Sequence, residues 1–311
     1  MGEIRERKKR AIAVAVFDTG VAPVDDLTMP RNRLAAFRDE INGMSEPYDD
    51  NGHGTHVAGL IGGNGYRSGG TRVGAAPRCL IIGVKILDAR GRGGVSEALA
   101  GIRWMMSVRE KYNIRVANLS IGARHSGAGD VIVRAAESMW DAGVVVVTAA
   151  GNLGPEPGSV TSPGTSRKVI TVGCLEDGLR SGRGPTPDCV VKPDLLAPGL
   201  NRVSCLTNTP LSPDRRREIA RESGYYARMS GTSMAAPAIS GRAAVMLELD
   251  PGLTPDQVKA ALMREAGGAD YTPTVHSDGV YEYDTACLAE RHIARTNAAA
   301  LIGVLALASR R

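Results

Sequence analysis

Long apolar runs alternate with amphipathic segments along most of this 311-residue chain. Residues 11–17 (AIAVAVF) are too continuously apolar for a half-exposed strand, so they predict a strand buried on both faces. Further strands are predicted at 79–87, 114–119, 143–149 and 168–173, with helices at 95–111 and 129–142. Strands that alternate with helices are typical of a parallel sheet covered on both faces. The pattern therefore predicts an α/β fold.

A single large domain is predicted over residues 11–266, because polar groups far apart in the chain must converge on one site. Residues 1–10 form a basic N-terminal extension, and residues 267–311 are expected to form a C-terminal extension packed on the domain. Within that extension, residues 297–308 are apolar but fall short of the ~20 needed to span a bilayer. A packed terminal helix is expected there, with an oligomer contact as the alternative.

Four polar side chains fall where predicted elements begin or end. Asp18 and Asn152 each follow a buried strand, and open α/β sheets place their ligand sites at the carboxyl ends of strands. His53 falls in the first turn of one predicted helix. Ser233 begins another, where backbone N–H groups favour negative charge. An acid, a base, an amide donor and a hydroxyl together supply the groups needed for acyl transfer.

Residues 16–20 (VFDTG), 53–59 (HGTHVAG) and 231–237 (GTSMAAP) resemble the catalytic blocks of the subtilisin-like serine proteases. The order acid, histidine, serine is that of subtilisin and differs from chymotrypsin-like enzymes and α/β-hydrolases. The resemblance covers roughly residues 11–266 and is strongest to the bacterial intracellular alkaline subtilases. It implies a three-layer α/β/α fold with a mostly parallel central sheet.

The resemblance implies a role for each polar group. Ser233 is expected to attack the scissile carbonyl, while His53 transfers its proton to the leaving amine and Asp18 holds the histidine ring. Asn152 and the Ser233 backbone N–H are expected to donate to the oxyanion. The implied activity is hydrolysis of polypeptides by a serine endopeptidase through an acyl-enzyme. A catalytically silent, peptide-binding subtilase is the alternative.

The same resemblance places an extended substrate between two edge segments, where it adds backbone hydrogen bonds as an extra strand. The residues assigned to these edges are Gly91, Arg92, Gly93, Ser120, Ile121 and Gly122. The pocket for the side chain before the cut is assigned to Ala150, Gly151 and Gly164. Small residues there predict broad specificity with a preference for large apolar residues, and Arg92 is expected to favour acidic residues further upstream. The bond between Ser162 and Pro163 is predicted to be cis.

The chemistry requires no cofactor, and no residues are assigned to a metal. His53 and His56 are three positions apart, whereas the zinc-protease motif needs four with an intervening glutamate. His56 is therefore predicted to be a packed, hydrogen-bonded helix residue. Asp49 and Asp50 leave two interpretations open: a calcium site or cleft border, or a solvated turn that favours the helix dipole. Structural calcium is left open.

Charge and cysteine content narrow the remaining function classes. The net charge of +5 is modest, and no nucleic-acid-binding motif accompanies it, so no nucleic-acid partner is expected. The charged residues 1–10 do not resemble a signal peptide, and five cysteines without paired spacing favour a reducing compartment. We expect a cytoplasmic monomer with no membrane association. A secreted protein whose leader and propeptide are absent from this chain is the alternative.

Residues 214–221 (DRRREIAR) carry the densest run of charge in the second half of the domain. The run predicts an exposed short helix or loop, and a binding patch is the alternative. A flexible basic loop of this kind is also a candidate site of self-cleavage.

Overall fold

The computed structural model describes residues 11–123, 127, 129–176 and 180–266. The predicted extensions at 1–10 and 267–311, with the apolar segment 297–308, lie outside the described residues. The strands are β1 (Ala13–Asp18), β2 (Leu34–Asp39), β3 (Leu80–Lys85), β4 (Ile114–Leu119), β5 (Val145–Ala149), β6 (Ile170–Cys174), β7 (Leu195–Ala197), β8 (Arg202–Cys205), β9 (Ala220–Arg221) and β10 (Tyr226–Met229). The helices are α1 (Asp25–Thr28), α2 (His53–Gly62), α3 (Val95–Tyr112), α4 (Val131–Asp141), α5 (Pro213–Glu218), α6 (Thr232–Leu249) and α7 (Pro255–Glu265), with a 3₁₀ turn at Tyr66–Ser68.

Seven strands form one parallel sheet in the order β2-β3-β1-β4-β5-β6-β7. Strand β1 lies inside the sheet and is buried along its whole length, as its continuous apolar sequence predicts. From β1 the sheet extends through β3 and β2 to one edge and through β4 to the other, so the strand order reverses beside β1. Asp18 ends β1 at that reversal, where open α/β sheets bind their ligands.

Helices cover both faces of the large sheet. Helices α2 and α6 contact each other and the sheet, and α3 and α4 form a second contacting pair. This arrangement confirms the predicted three-layer α/β/α fold with a parallel central sheet. The predicted elements are present with ends displaced by one to a few residues, as for β3 and β6. None of the described helices is long and apolar enough to cross a membrane.

The smaller antiparallel sheet, β8-β10-β9, packs against α2 through His56. The ring Nε2 of His56 lies 3.1 Å from the carbonyl oxygens of both Arg202 and Ala227. Both partners are acceptors, so Nε2 carries the proton. Burial lowers the pKa of His56 to about 3, and the ring stays neutral. The prediction of a packed, hydrogen-bonded helix residue is confirmed.

Candidate active site

Asp18 and His53 form a directly hydrogen-bonded pair at the carboxyl end of β1. His53 is the first residue of α2, and its Nδ1 lies 2.7 Å from Oδ1 of Asp18. The Thr19 backbone N–H donates to the same oxygen at 2.7 Å. Asp18 is completely buried, whereas the His53 side chain is 24% exposed. Asp18 therefore holds Nδ1 of the ring and leaves Nε2 as the nitrogen available to a reactant.

A glycine after the histidine is required by the close approach of two chain segments. A Cβ at Gly54 would lie 2.1 Å from the carbonyl oxygen of Gly20 and 2.9 Å from Cβ of Asp18. Any larger residue there would push α2 away from β1 and stretch the hydrogen bond between Asp18 and His53. The glycine of the HGTH sequence is thus the residue that allows α2 to pack against the VFDTG segment.

The pKa of His53 is raised above its usual 6.5. Burial of the ring acts in the opposite direction, but the charge and hydrogen bond of Asp18 outweigh it, with a further contribution from Asp49. The positive charge of Arg215 lowers this pKa. The ring is therefore a stronger base than free histidine, as a proton acceptor at neutral pH needs to be.

Asp49 organises the turn that leads into α2. Its carboxylate is completely buried, so the interpretation as a solvated turn is wrong for this residue. The chain places donors on both oxygens because an uncompensated buried charge would be costly. These donors are Thr19 Oγ1 (2.8 Å), Asn51 N (3.1 Å), Gly52 N (2.8 Å), Thr55 N (2.8 Å) and Thr55 Oγ1 (2.7 Å).

Asp50 is also engaged by the protein rather than by solvent alone. The Nζ of Lys85, a completely buried side chain, donates to Asp50 Oδ1 at 2.8 Å. The same ammonium donates to the carbonyls of Thr19 and Leu87, which uses all three of its protons. Within the described residues, no group of three or more His, Cys, Asp or Glu is arranged to hold a metal ion.

Ser233 is the second residue of α6 and is half-buried. Its hydroxyl donates to the Ser120 carbonyl over a long 3.4 Å contact. Among the described residues, it has no hydrogen bond to His53. Catalytic hydrogen bonds are often long or misaligned without substrate and tighten only in the complex. The structure places the predicted nucleophile at the expected helix start, with its contact to the base not yet made.

The amide of Asn152 is oriented by the same helix terminus. Its Oδ1 accepts hydrogen bonds from Thr232 N (3.1 Å) and Thr232 Oγ1 (3.2 Å). With the oxygen held in this way, Nδ2 is left as a donor next to Gly231, where a Cβ would lie 3.4 Å from it. Asn152 is an exposed residue, which leaves its side chain accessible from solvent. An amide donor beside a helix N-terminus suits stabilisation of negative charge.

A buried chain of polar groups supports the backbone at the serine. Ser240 Oγ donates to Asn118 Oδ1 at 2.8 Å, and Asn118 Nδ2 donates to Ser120 Oγ at 2.8 Å. Ser120 Oγ in turn approaches the Ser233 carbonyl at 3.4 Å. That carbonyl lacks a normal helical partner because Pro237, four residues later, has no N–H. The first turn of α6 is also tightened by a 2.9 Å bond from Met234 N to the Gly231 carbonyl.

A cleft of about 530 Å³ opens beside His53. All six residues predicted to form the two substrate edges line it: Gly91, Arg92, Gly93, Ser120, Ile121 and Gly122. An antiparallel bridge between Ala123 and Ser162 fixes the second edge. The peptide bond between Ser162 and Pro163 is cis, as predicted.

The predicted pocket residues Ala150, Gly151 and Gly164 are not among the lining residues of this cleft, and all three lie close to Thr161. A Cβ at Gly151 would lie 2.4 Å from Thr161 Oγ1, and one at Gly122 would lie 2.6 Å from the same atom. Thr161 N donates to the Ala150 carbonyl at 3.0 Å. The side chain of Thr161 therefore fills the space between the two glycines, which sequence reasoning did not find.

The charged run at 214–221 contributes a second residue that sequence reasoning missed. Residues Pro213–Glu218 form the short helix α5, as predicted, but Arg215 turns from it toward the cleft. Its Nε donates to the Asn51 carbonyl at 2.9 Å, two residues before His53. In the sequence, Arg215 is recognisable only as part of an excess of charge, because its position beside the histidine depends on the fold.

A family model described as the subtilase family matches residues 9–292. The chain belongs to the subtilase family. Members of this family are the subtilisin-like serine proteases, which are hydrolases. The predicted resemblance is confirmed. The solved structures that match this subtilase include a cold-adapted subtilisin-like serine proteinase, with a TM-score of 0.63 and 30% identity, over 88% of this chain and 87% of that one. Sphericase matches with a TM-score of 0.67 and 27% identity, over 84% and 85% of the two chains.

Similar proteins by sequence include serine protease AprX of Bacillus subtilis (strain 168). It is 41% identical over 271 residues, which are 81% of this subtilase and 60% of AprX. Subtilisin Savinase of Lederbergia lenta is 31% identical over 255 residues, 82% of this subtilase and 83% of Savinase. The subtilase spans about 60% of the length of the first of these relatives.

Proposed function

We propose that this subtilase is a serine endopeptidase that hydrolyses polypeptides with Asp18, His53 and Ser233. The observation that carries the proposal is the 2.7 Å hydrogen bond between buried Asp18 and His53 Nδ1, in a chain whose relatives are named as serine proteases. The pair supplies an oriented base, Ser233 is the second residue of α6, and Asn152 accepts hydrogen bonds from Thr232 at the start of the same helix. These groups match the requirements of acyl transfer.

The proposed reaction gives each of these groups a role. Ser233 Oγ adds to the carbonyl carbon of the substrate while its proton passes to His53 Nε2. The carbonyl oxygen becomes an oxyanion, which accepts hydrogen bonds from Asn152 Nδ2 and the Ser233 backbone N–H. When the tetrahedral adduct collapses, the C–N bond breaks and His53 protonates the departing amine. Water then adds to the carbonyl carbon of the acyl-enzyme while His53 takes its proton. The ester bond to Ser233 Oγ breaks, and His53 returns the proton to that oxygen.

The proposed specificity is broad, with a preference for large apolar residues before the cut. The resemblance to the family supports this preference through the small residues Ala150, Gly151 and Gly164, and Thr161 packs directly against Gly151 in this region. No cofactor takes part in the proposed chemistry, and structural calcium remains open. A cytoplasmic monomer that binds neither nucleic acid nor membranes remains our prediction, with secretion as the alternative.

Cleavage of a peptide library, followed by mass spectrometry, tests this proposal. The wild type should give internal cuts, and Ser233→Ala should give none. Ser107→Ala, which removes an exposed hydroxyl on α3, is the matched control and should cut like the wild type. If Ser233→Ala cuts as fast as the wild type, the proposal is wrong. If neither protein cuts but both bind peptides equally, the silent peptide-binding alternative is supported.

A further inference from the structure

The cleft carries a strong excess of positive charge. Three arginines line it, Arg90, Arg92 and Arg215, and among its described lining residues there is no Asp or Glu. A substrate that enters the cleft must therefore meet these charges in a space of about 530 Å³. Clefts lined by one sign of charge concentrate the potential felt by a ligand.

The first two arginines project from a turn that does not depend on their side chains. Asp88 Oδ1 accepts the backbone N–H groups of Arg90 (2.8 Å) and Arg92 (2.9 Å), and Asp88 N donates to the Arg92 carbonyl at 2.7 Å. Gly91 between them has a φ of 73°, which favours glycine. Both arginine side chains are exposed, and neither forms an ion pair with any described residue. Their charges are thus available to a ligand, while the carboxylate of Asp88 is occupied by the backbone.

Arg215 reaches the same cleft from α5. Its Nε is fixed on the Asn51 carbonyl, and Asn51 Nδ2 donates to the Ala89 carbonyl at 2.9 Å, so Arg215 is linked to the arginine turn. Its only described carboxylate partner is Glu218, at 3.2 Å, whose side chain is 65% exposed. Such an exposed pair is weak, and a substrate carboxylate that displaces it loses little.

We propose that this subtilase selects polypeptides with Asp or Glu among the few residues upstream of the cut bond. This inference rests on the proposed function, because it concerns the same cleft. The upstream side is indicated because the arginine turn includes Gly91 and Gly93, one of the two edges expected to hold the extended substrate. An aspartate or glutamate there can pair with the guanidinium groups of Arg90 and Arg92, which form no ion pair with any described residue. Carboxylate and guanidinium geometries also match for paired hydrogen bonds.

The preference should be moderate, because the arginines are partly exposed. An exposed ion pair changes binding by less than about tenfold, so two or three pairs acting on one acidic side chain predict a preference of ~10-fold over a neutral residue. The preference should also fall in 1 M salt, where the screening length is about 3 Å instead of about 8 Å at physiological salt.

The test uses peptides that differ at one position only. Each has a fixed large apolar residue before the cut, and Glu, Gln or Lys is placed in turn at each of the three positions upstream of it. For at least one position, kcat/KM should be ~10-fold higher with Glu than with Gln and lower still with Lys. In the double variant Arg90→Gln/Arg92→Gln the Glu preference should fall below ~3-fold, and Arg215→Gln should lower it further. Arg103→Gln, an exposed arginine of α3 outside the cleft, should leave it unchanged.

A charge reversal makes the assignment specific. The double variant Arg90→Glu/Arg92→Glu should transfer the preference from Glu to Lys, because its two carboxylates outnumber the remaining Arg215 and the turn that displays them is held by backbone bonds. Equal rates for Glu and Gln peptides in the wild type would overturn the inference while leaving the proposed function intact. So would a Glu preference that persists at full size in the triple variant with all three arginines replaced by Gln.

Peptide binding to a variant without the nucleophile measures the charge preference independently of catalysis. Uncut peptides are titrated into the Ser233→Ala variant, and the Glu peptide should bind ~10-fold more tightly than the Gln peptide. If no peptide is cut by the wild type, the proposed function fails and this affinity ratio alone decides the inference. A ratio near one would then overturn it as well.

Discussion

The candidate site has a histidine half and a serine half, and the side chains of the two halves are held to different degrees. On the histidine half, Asp18, His53 and Asp49 lie in or beside buried backbone, and the hydrogen bonds of their side chains are 2.7–3.1 Å long. On the serine half, Ser233 and Asn152 lie at the N-terminus of α6, and their contacts are 3.1–3.4 Å long. The base is held in place before any substrate arrives, whereas the nucleophile rests on a neighbouring carbonyl.

The difference follows from what each half must do. An orienting carboxylate is effective only if it is desolvated and fixed, so it belongs at the end of a buried strand with many local donors. The nucleophile and the oxyanion donor must contact the substrate, so they cannot be buried to the same degree. Their final geometry is expected to form only when a peptide occupies the cleft. Rigidity is therefore concentrated on the proton-transfer half.

Loss of the orienting acid should have the largest effect on the histidine half. Asp18→Asn should lower kcat by about 10⁴-fold, because the amide can hold the ring in the wrong tautomer. Steady-state kinetics on a peptide substrate measures this effect. Asp25→Asn, at a surface ion pair with Arg67, is the matched control and should change kcat by less than about twofold. A drop of less than tenfold for Asp18→Asn would mean that His53 is not the base.

Loss of the amide donor tests the serine half. Asn152→Ala should lower kcat by about 10²–10³-fold with little change in KM, because the donor acts on the oxyanion rather than on the bound peptide. The substitution also removes the acceptor of the buried Thr232 N–H and hydroxyl, so the free energy of unfolding should fall by about 1–3 kcal/mol. The exposed Asn208 supplies a control, and Asn208→Ala should retain full activity. A rise in KM at constant kcat would instead assign Asn152 to substrate binding.

The turn before the histidine should respond in stability as well as rate. Asp49→Asn replaces one acceptor oxygen with a donor that faces the donors already present, so the free energy of unfolding should fall by about 2–4 kcal/mol. Urea unfolding followed by circular dichroism gives the value. Asp141→Asn, at an exposed ion pair with Lys168, should cost less. Equal costs for the two substitutions would contradict the distinct role given to Asp49.

The pH dependence gives the smallest and most specific effect. His53 must be neutral to accept the serine proton, and its pKa is raised above 6.5, so kcat/KM should rise with pH through a value above 6.5. Arg215→Gln removes a positive charge that lowers this pKa, so the rise should move to higher pH. Arg103→Gln should not move it. A shift to lower pH for Arg215→Gln would contradict the placement of Arg215 beside the histidine.

Much of the fold and the main site residues were predictable from local sequence. Continuous apolar runs marked β1 and β5, and the polar residues at their ends, Asp18 and Asn152, lie at the same edge of the sheet because parallel strands share a direction. His53 and Ser233 were placed at helix starts by the glycines that precede them, and both begin helices within one residue of the prediction.

The misses are all contacts between distant segments. Arg215 donates to a carbonyl 164 residues earlier in the chain, and nothing in the run of charge around it specifies that partner. Asp49 was compatible with solvent on local grounds, and only the packing of α2 against β1 buries it. Thr161 reaches between two glycines that are 29 residues apart, as the close approaches at Gly122 and Gly151 show. Burial and charge pairing of this kind depend on the assembled fold.

Labelling with a fluorophosphonate tests most directly whether the fixed histidine half activates Ser233. Attack by Ser233 Oγ on phosphorus expels fluoride and leaves one covalent adduct, which intact mass and peptide mapping detect. The wild type should gain a single adduct on Ser233, Asn152→Ala should react more slowly, and Asp18→Asn should be almost inert. No adduct on the wild type, under conditions that label Savinase completely, or an adduct on another residue, would contradict the account.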